Sequence, residues 1–445
     1  MNEAPPGYRQ RLPLLLTLCA FAFSLAACAY SVVSGDRINS DKADQIEAGI
    51  QQLRELKFKQ PVPMVVKTRA QAEQMMEADL SRDYTDEQFE VDGIAGALVG
   101  LYPAGINLKA ESLKLLRNQV AGFYDPRGKE MVLVEGADSG GLYEGTLQFL
   151  VQRDIIGEML LAHELTHALQ DQNFGLEAML DKYKNDDDRE LALKSVAEGD
   201  ATIAGYAYVM GRMDTAVADS LVEHLKDLPQ MFAAEAGDAP EGLAAPLVFQ
   251  YAEGVRFVAE AYKRGGWAAV DKLYKNPPQS SHQIIHPADY FDRPAPPVKI
   301  ELSGYQKIMT GWKKADQDTY GELLLRVILE RNLGRHATDA TVAAQWAGDQ
   351  MAILREGRSV SVFWMLAFDD PYNASHFAVV YETILDRLLG DSTMHRVDYR
   401  GNDVLVVIGE GANYFNALEP EIWKETKFNG VNAAAKLLSA DAEPP

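Results

Sequence analysis

His163, Glu164 and His167 stand together in the stretch LLAHELTHALQDQ, residues 160–172, with the histidines four positions apart and the glutamate beside the first. On a helix that spacing stacks both imidazoles on one face, where they can converge on one tetrahedral zinc ion. Glu164 is then placed to act as a base on a water at the ion. By chance, such an HExxH pattern arises in on the order of one chain in a hundred of this length and composition. The competing reading is a pair of helix-face histidines hydrogen-bonded to nearby polar groups. A third ligand would discriminate between them. Glu198, within LALKSVAEGDATIAGYAYVMG, lies among small residues that let helices approach closely. A carboxylate on such a surface needs a partner, which a metal would supply. Glu190 and Asp200 compete with it, and each of the three has the plainer reading of a helix N-terminal acid or a solvated face.

Other groups nearby suit supporting roles. Asp171, one turn beyond His167, is placed to accept a hydrogen bond from a ligand histidine, or else is an exposed helix acid. Hydrolysis of a carbonyl compound also needs a donor for the oxyanion. Candidates cluster in PPQSSHQIIHPADYF: His282, His286 and Tyr290, with Tyr251 of YAEG as an outlying one. We take His286 and Tyr290 as the catalytic candidates. His286 precedes Pro287, which pushes its backbone towards extended conformations, as in a shaped loop. A hydrogen-bonded structural role is the commoner fate of such a histidine. The acidic run NDDD lacks the alternating spacing and glycine of a calcium loop and reads as solvated. His336, His376 and His395 read as surface or packing residues, and Trp346, Trp364 and Trp423 as core or interface aromatics.

The elements that must position these residues are partly readable. Apolar spacing is helical from Ile46 to Leu56 and again between Gly141 and Phe174, where the motif lies, with Ile155, Ile156, Leu160, Leu161, Leu165 and Leu169 on one broad apolar side. QVAGFYDPRGKEMVLVEG reads as two strands, near Val120–Tyr124 and Met131–Glu135, around a turn with Pro126 and Gly128. Beyond a proline-rich boundary near Arg293–Gly304 come a helix around Tyr320–Leu333, a strand in RSVSVFWMLAF and a helix over Asn373–Leu389. A hairpin follows around Gly401-Asn402. The fold class expected is α+β: a mostly helical domain over 46–300 with a small upstream sheet or hairpin, and a smaller C-terminal α+β domain over 301–445. The role of the latter is unread; docking of a protein partner is one possibility.

At 445 residues with 47% hydrophobic composition the chain can bury a substantial core. A net charge of −22 opposes sequence-independent binding to nucleic acid or anionic lipid. After Arg9 and Arg11 an apolar run, LPLLLTLCAFAFSLAACA, is short for a membrane span and suits an export signal. Its end, Leu25–Cys28, resembles the lipobox of bacterial lipoproteins. That resemblance implies removal of residues 1–27, a lipid on Cys28 that anchors the chain to a membrane, and a tether over 28–45. An ordinary signal peptide or an N-terminal anchor is the alternative. Cys19 would leave with the signal, so no disulfide is expected. With Ala29 after the cysteine, a host with two membranes would send the protein to the outer one, facing the periplasm.

HELTH followed by EGDA on a later helix resembles the gluzincin clan of zinc metallopeptidases. More closely, GFYDPRGKEMVLV, HELTHALQDQ, SVAEGDAT and HPADYF in this order resemble a group of poorly characterised bacterial metallopeptidase-like proteins. The likeness covers roughly Val120–Asp292. It implies a zincin-like fold for the domain over 46–300, His163, His167 and Glu198 as zinc ligands, Glu164 as general base, a peptide or protein substrate, and an edge strand near Tyr124 on which a peptide lies. One departure stands out. Thermolysin-type members carry an acid one turn after the glutamate ligand, and here that position is Thr202. The alternative reading is a zincin-fold lipoprotein that has kept the metal but lost turnover and serves as a scaffold. Glu164 argues against it, since a structural zinc needs no base and is closed by four protein ligands.

Overall fold

The computed structural model describes residues 32–34, 37–117, 122–135, 154–226, 239–334 and 337–430. The expected signal, Cys28 and His336 lie outside them. The architecture is α+β. Helices of the first half are α1 (Ser40–Arg54), α2 (Arg69–Asp83), α3 (Asp86–Leu98), α4 (Leu108–Arg117), α5 (Ile155–Phe174), α6 (Leu176–Asp181), α7 (Asp187–Met210) and α8 (Thr215–Leu225). Those of the second are α9 (Glu241–Lys275), α10 (Ser281–Ile285), α11 (Ala288–Phe291), α12 (Gly321–Leu333), α13 (Pro371–Leu389) and α14 (Phe415–Glu425). Two compact units emerge, one from residues 1–75, 119–175 and 201–218, the other from 76–118, 176–200 and 219–445. Helix α7 contributes to both.

In the first unit, strands β1 (Met64–Lys67), β2 (Gly122–Asp125) and β3 (Glu130–Val134) form a sheet in the order β1-β3-β2. β1 runs parallel to β3, while β2 and β3 form the expected hairpin and leave β2 at the edge. Against it lies α5. Its start and stop follow local chemistry: the Asp154 side chain accepts from the Gly157 N–H, and Gly175, at φ 71°, ends the helix with its N–H on the Asp171 carbonyl. Leu161, Leu165, Ala168 and Leu169 are buried. Ile155, Ile156 and Leu160, expected on the same apolar side, are exposed at the first turns. α1 begins earlier than its apolar spacing suggests, at Ser40, because Asn39 caps it by accepting from the Lys42 N–H. The expected tether therefore gives way to helix before residue 45.

The second unit is organised around a five-stranded antiparallel sheet. Its strands are β5 (Lys313–Asp318), β6 (Trp346–Glu356), β7 (Ser359–Phe368), β8 (His395–Arg400) and β9 (Asp403–Gly409), in the order β8-β9-β7-β6-β5; β4 (Lys299–Glu301) and β10 (Lys427–Asn429) pair separately. Alternate residues of β7 go to opposite faces. Val362, Trp364 and Leu366 pack with Leu325, Ile328, Phe377 and Tyr381, and Phe363, Met365 and Ala367 with Leu405, Leu418 and Ile422. With both faces covered, the central strand is apolar from Val362 to Phe368. At its centre the buried Asp349 carboxylate accepts from both Trp346 and Trp364 indole N–H groups (2.9 and 2.8 Å) and from the Tyr320 and Gly321 amides (both 3.0 Å). The division between units does not follow the expected boundary near residue 300. Val91, Ala95, Val99 and Leu101 join the core around this sheet, and the Tyr381 hydroxyl donates to the Val99 carbonyl at 2.9 Å. An apolar face goes where its complement lies, whatever the distance along the chain.

Candidate functional site

His163 and His167 project from one face of α5, as their spacing requires, and their Nε2 atoms stand 3.1 Å apart. Two imidazole nitrogens bound to one tetrahedral zinc would stand about 3.3 Å apart, from bonds of 2.0–2.1 Å. The tautomer also fits a cation. The Gln170 side-chain oxygen accepts from His167 Nδ1 at 2.9 Å, so in the neutral ring Nε2 presents a lone pair towards His163 Nε2. Gln170 is fully buried and holds that ring in place. Position i+3 from His167 was its only sequence signal.

Glu164 Oε2 accepts the Tyr124 backbone N–H at 3.0 Å. Tyr124 lies on β2, the edge strand, so an outward-facing amide of the sheet aims the carboxylate. Asp171 plays a different part from the one expected of it. Its Oδ2 accepts from the Tyr124 hydroxyl (3.0 Å) and from the Lys129 ammonium (2.6 Å), so it clamps the hairpin to α5, and the described support for His167 comes from Gln170. One residue of the hairpin therefore binds α5 twice, by its backbone amide at Glu164 and its side-chain hydroxyl at Asp171.

Helix α7 meets α5 within the same unit. A Cβ on Gly205 would lie 2.7 Å from the Met159 carbonyl oxygen and 3.3 Å from the His163 amide, so the two backbones touch because this residue has no side chain. One turn earlier, Thr202 Oγ1 is 3.5 Å from His163 Nδ1, a long contact at the position where an acid was lacking. Glu198 leaves the same unbroken helix one further turn back, on the same face as Thr202 and Gly205. The alternative ligands have other partners: Asp200 Oδ2 accepts from the Tyr274 hydroxyl at 2.8 Å, and Glu190 pairs with Lys194 one turn on. The small residues around Glu198 serve close packing as expected, with a Cβ on Gly199 falling 2.3 Å from the Gly254 carbonyl oxygen of α9.

His286 and Tyr290 belong to the second unit, where both have polar partners. His286 Nε2 is 2.9 Å from Glu322 Oε2, and the Tyr290 hydroxyl donates to the Asn276 carbonyl while its ring packs edge-on against Phe257. These bonds commit the atoms that an oxyanion donor would have to offer, and they give the two residues structural work instead. His282 Nδ1 stands 2.7 Å from the same Glu322 oxygen, and Arg326 pairs with the other. Burial opposes charge on Glu322, but the bonds from His282 and His286, with the Arg326 guanidinium, outweigh it and hold the carboxyl down at about 2. Glu322 gave no sequence signal, since it lies forty residues beyond His282 on an apolar helix. Tyr251 is half-buried on α9. His376 and His395 each place Nε2 3.1 Å from a carboxylate oxygen, of Asp339 and Asp386 respectively, and Trp423 donates to Asp398.

Residues 306–426 match a family model described as "Domain of unknown function (DUF8575)". No curated protein and no solved structure matches the chain. The matched residues cover all five strands of the second unit's main sheet and none of α5 or α7.

Proposed function

We propose that the protein is a zinc-dependent peptidase of zincin-like fold, with His163, His167 and Glu198 as the metal ligands and Glu164 as general base. One observation carries the reading: two imidazole Nε2 atoms converge at 3.1 Å while the carboxylate between them in sequence is held by a backbone amide of an edge strand. When bound, zinc supplies Lewis-acid polarisation of a carbonyl and a lowered pKa for water. The chain's own residues do the rest. Gln170 keeps the proton of His167 on Nδ1, so that in the neutral ring Nε2 carries the lone pair that would ligate. Tyr124 occupies Glu164 Oε2, which leaves Oε1 to take a proton from water and pass it to the leaving amine. As the edge of its sheet, β2 offers main-chain groups to an extended peptide. Glu198 enters through the continuity of α7, which is docked on α5 at Gly205.

We place the enzyme at the cell envelope, held by a lipid on Cys28. Among the described residues no helix is long and apolar enough to cross a membrane. Zinc content and cleavage of an unbiased peptide library, measured on the wild type beside Glu164→Gln, test the reading. It expects about one zinc at this site in both chains and cleavage only by the wild type, with kcat/KM lowered about 10²–10⁴-fold by the substitution. Zinc in both with cleavage in neither over a broad library favours a scaffold instead. If His163→Ala leaves the zinc content unchanged, the ligand assignment is wrong.

A further inference from the structure

The second unit carries a cluster that the proposed peptidase chemistry does not use. His282 and His286, four residues apart at the two ends of α10, aim ring nitrogens at one oxygen of Glu322, which is fully buried. The three ligand atoms lie within 4.8 Å of one another. The Arg326 guanidinium pairs with the other Glu322 oxygen, so both oxygens of this buried carboxylate are engaged.

Asp289 stands behind His282 on the side away from Glu322. His282 Nδ1 is 2.7 Å from Glu322 Oε2 and its Nε2 is 3.4 Å from Asp289 Oδ2. A neutral ring that donates from Nδ1 to Glu322 turns a lone pair on Nε2 towards the Asp289 carboxylate, which is repulsive. The arrangement is satisfied when Nε2–H faces Asp289 and the Nδ1 lone pair faces a cation shared with Glu322 and His286. A carboxylate behind a ligand histidine is a recurrent support of metal sites. Ligand atoms on a tetrahedral ion with bonds of 2.0–2.1 Å stand about 3.3 Å apart, so the 2.7 and 2.9 Å contacts to Glu322 would open by about half an ångström around an ion. Access exists as well. His282 and Asp289 line a cavity of about 340 Å³ together with Ser280, Trp346 and Asp369, so an ion and its remaining water ligands have a route in.

We propose that His282, His286 and Glu322 form a second divalent-metal site, with Asp289 orienting His282, that takes a borderline transition metal of the zinc or cobalt class. Mixed imidazole and carboxylate donors favour such ions over calcium or magnesium. Three protein ligands leave positions open on the cavity side, as in sites that bind a further ligand.

The proposal does not rest on the peptidase reading, and the test keeps them apart. The full chain carrying His163→Ala and His167→Ala is titrated with Co²⁺ and then Zn²⁺, with visible absorption and metal content as readouts. The expected result is about one ion per chain with a ligand-field Co²⁺ spectrum. Adding His286→Gln, at a half-exposed site, should weaken Co²⁺ binding at least tenfold, and Asp289→Asn should weaken it less and shift the spectrum. A folded chain by circular dichroism that binds no Co²⁺ overturns the proposal and makes the cluster a hydrogen-bonded network with a structural role alone. If the double variant fails to fold, the wild type decides: one ion fewer on His286→Gln supports the site, and unchanged metal content overturns it. Metal that survives His163→Ala but not His286→Gln would support this site while removing the peptidase assignment.

Discussion

Gly205→Ala should damage the motif helix without touching any proposed ligand. The added methyl would lie 2.7 Å from the Met159 carbonyl oxygen, where ordinary contact begins near 3.4 Å, so α7 and α5 must part by about 0.7 Å. Neither side of the clash is a flexible side chain. Overpacking of this kind costs about 1–3 kcal/mol, and a displacement of α7 carries Thr202 off His163 and shifts Glu198 with it. Loosened support of metal ligands typically costs 10–100-fold in affinity. The assay is thermal unfolding with and without zinc, beside a zinc competition titration. At a fixed saturating zinc concentration a tenfold weaker site forfeits about 1.4 kcal/mol of zinc-dependent stabilisation. A variant that loses stability in the metal-free state yet binds zinc as tightly as the wild type would refute the idea that α7 carries a ligand. If neither quantity changes, the close approach of the helices is itself wrong.

Three further outcomes are expected. Tyr124→Phe removes one of the two bonds that Asp171 makes to the hairpin, lowering stability by about 0.5–1.5 kcal/mol in chemical denaturation and reducing turnover while zinc is retained. Asp349→Ala orphans two indole and two amide N–H groups in the core and should cost on the order of 3–5 kcal/mol, read as a fall in the denaturation midpoint of the second unit. Asp92 has its carboxyl raised to about 8 by burial and by the neighbouring Asp316. The folded state then holds a proton that the unfolded chain has released, so this contribution is complete below about pH 4 and is lost as pH rises towards 8. The slope is at most about 1.4 kcal/mol per pH unit. Asp92→Asn should flatten stability across that window in pH-dependent denaturation, and an unchanged profile would show that Asp92 is ionised in the folded protein.

Local order fixed by short-range chemistry was available from the sequence alone. The helical spacing of His163 and His167, the end of the helical pattern near Phe174, the hairpin around Pro126–Lys129 and the Gly401-Asn402 turn all depend on residues within a few positions of one another. Strand β7 was legible because its β-branched and aromatic run has no helical period. β5 and β6 were not. β5 reads KKADQD and lies at the sheet edge, and in β6 the polar pair Asp349-Gln350 interrupts the apolar run. That interruption is a core feature, since Asp349 serves tryptophans from two strands, and only the folded arrangement supplies the second.

Tertiary structure alone decided which distant groups meet. Nothing near Glu164 in sequence points to the Tyr124 amide forty residues away, because a backbone N–H carries no residue signature. Asp171 looked like support for a histidine one turn back, and a tyrosine and a lysine on the hairpin engage it instead. His286 and Tyr290 were candidates by residue type, yet Glu322 and the Asn276 carbonyl occupy them. Residues 76–118 join the unit of the C-terminal sheet, where the apolar side of α3 finds its complement. Residue type and spacing determine which chemistry a side chain can do; the long-range contacts of a packed interior determine which partner it finds.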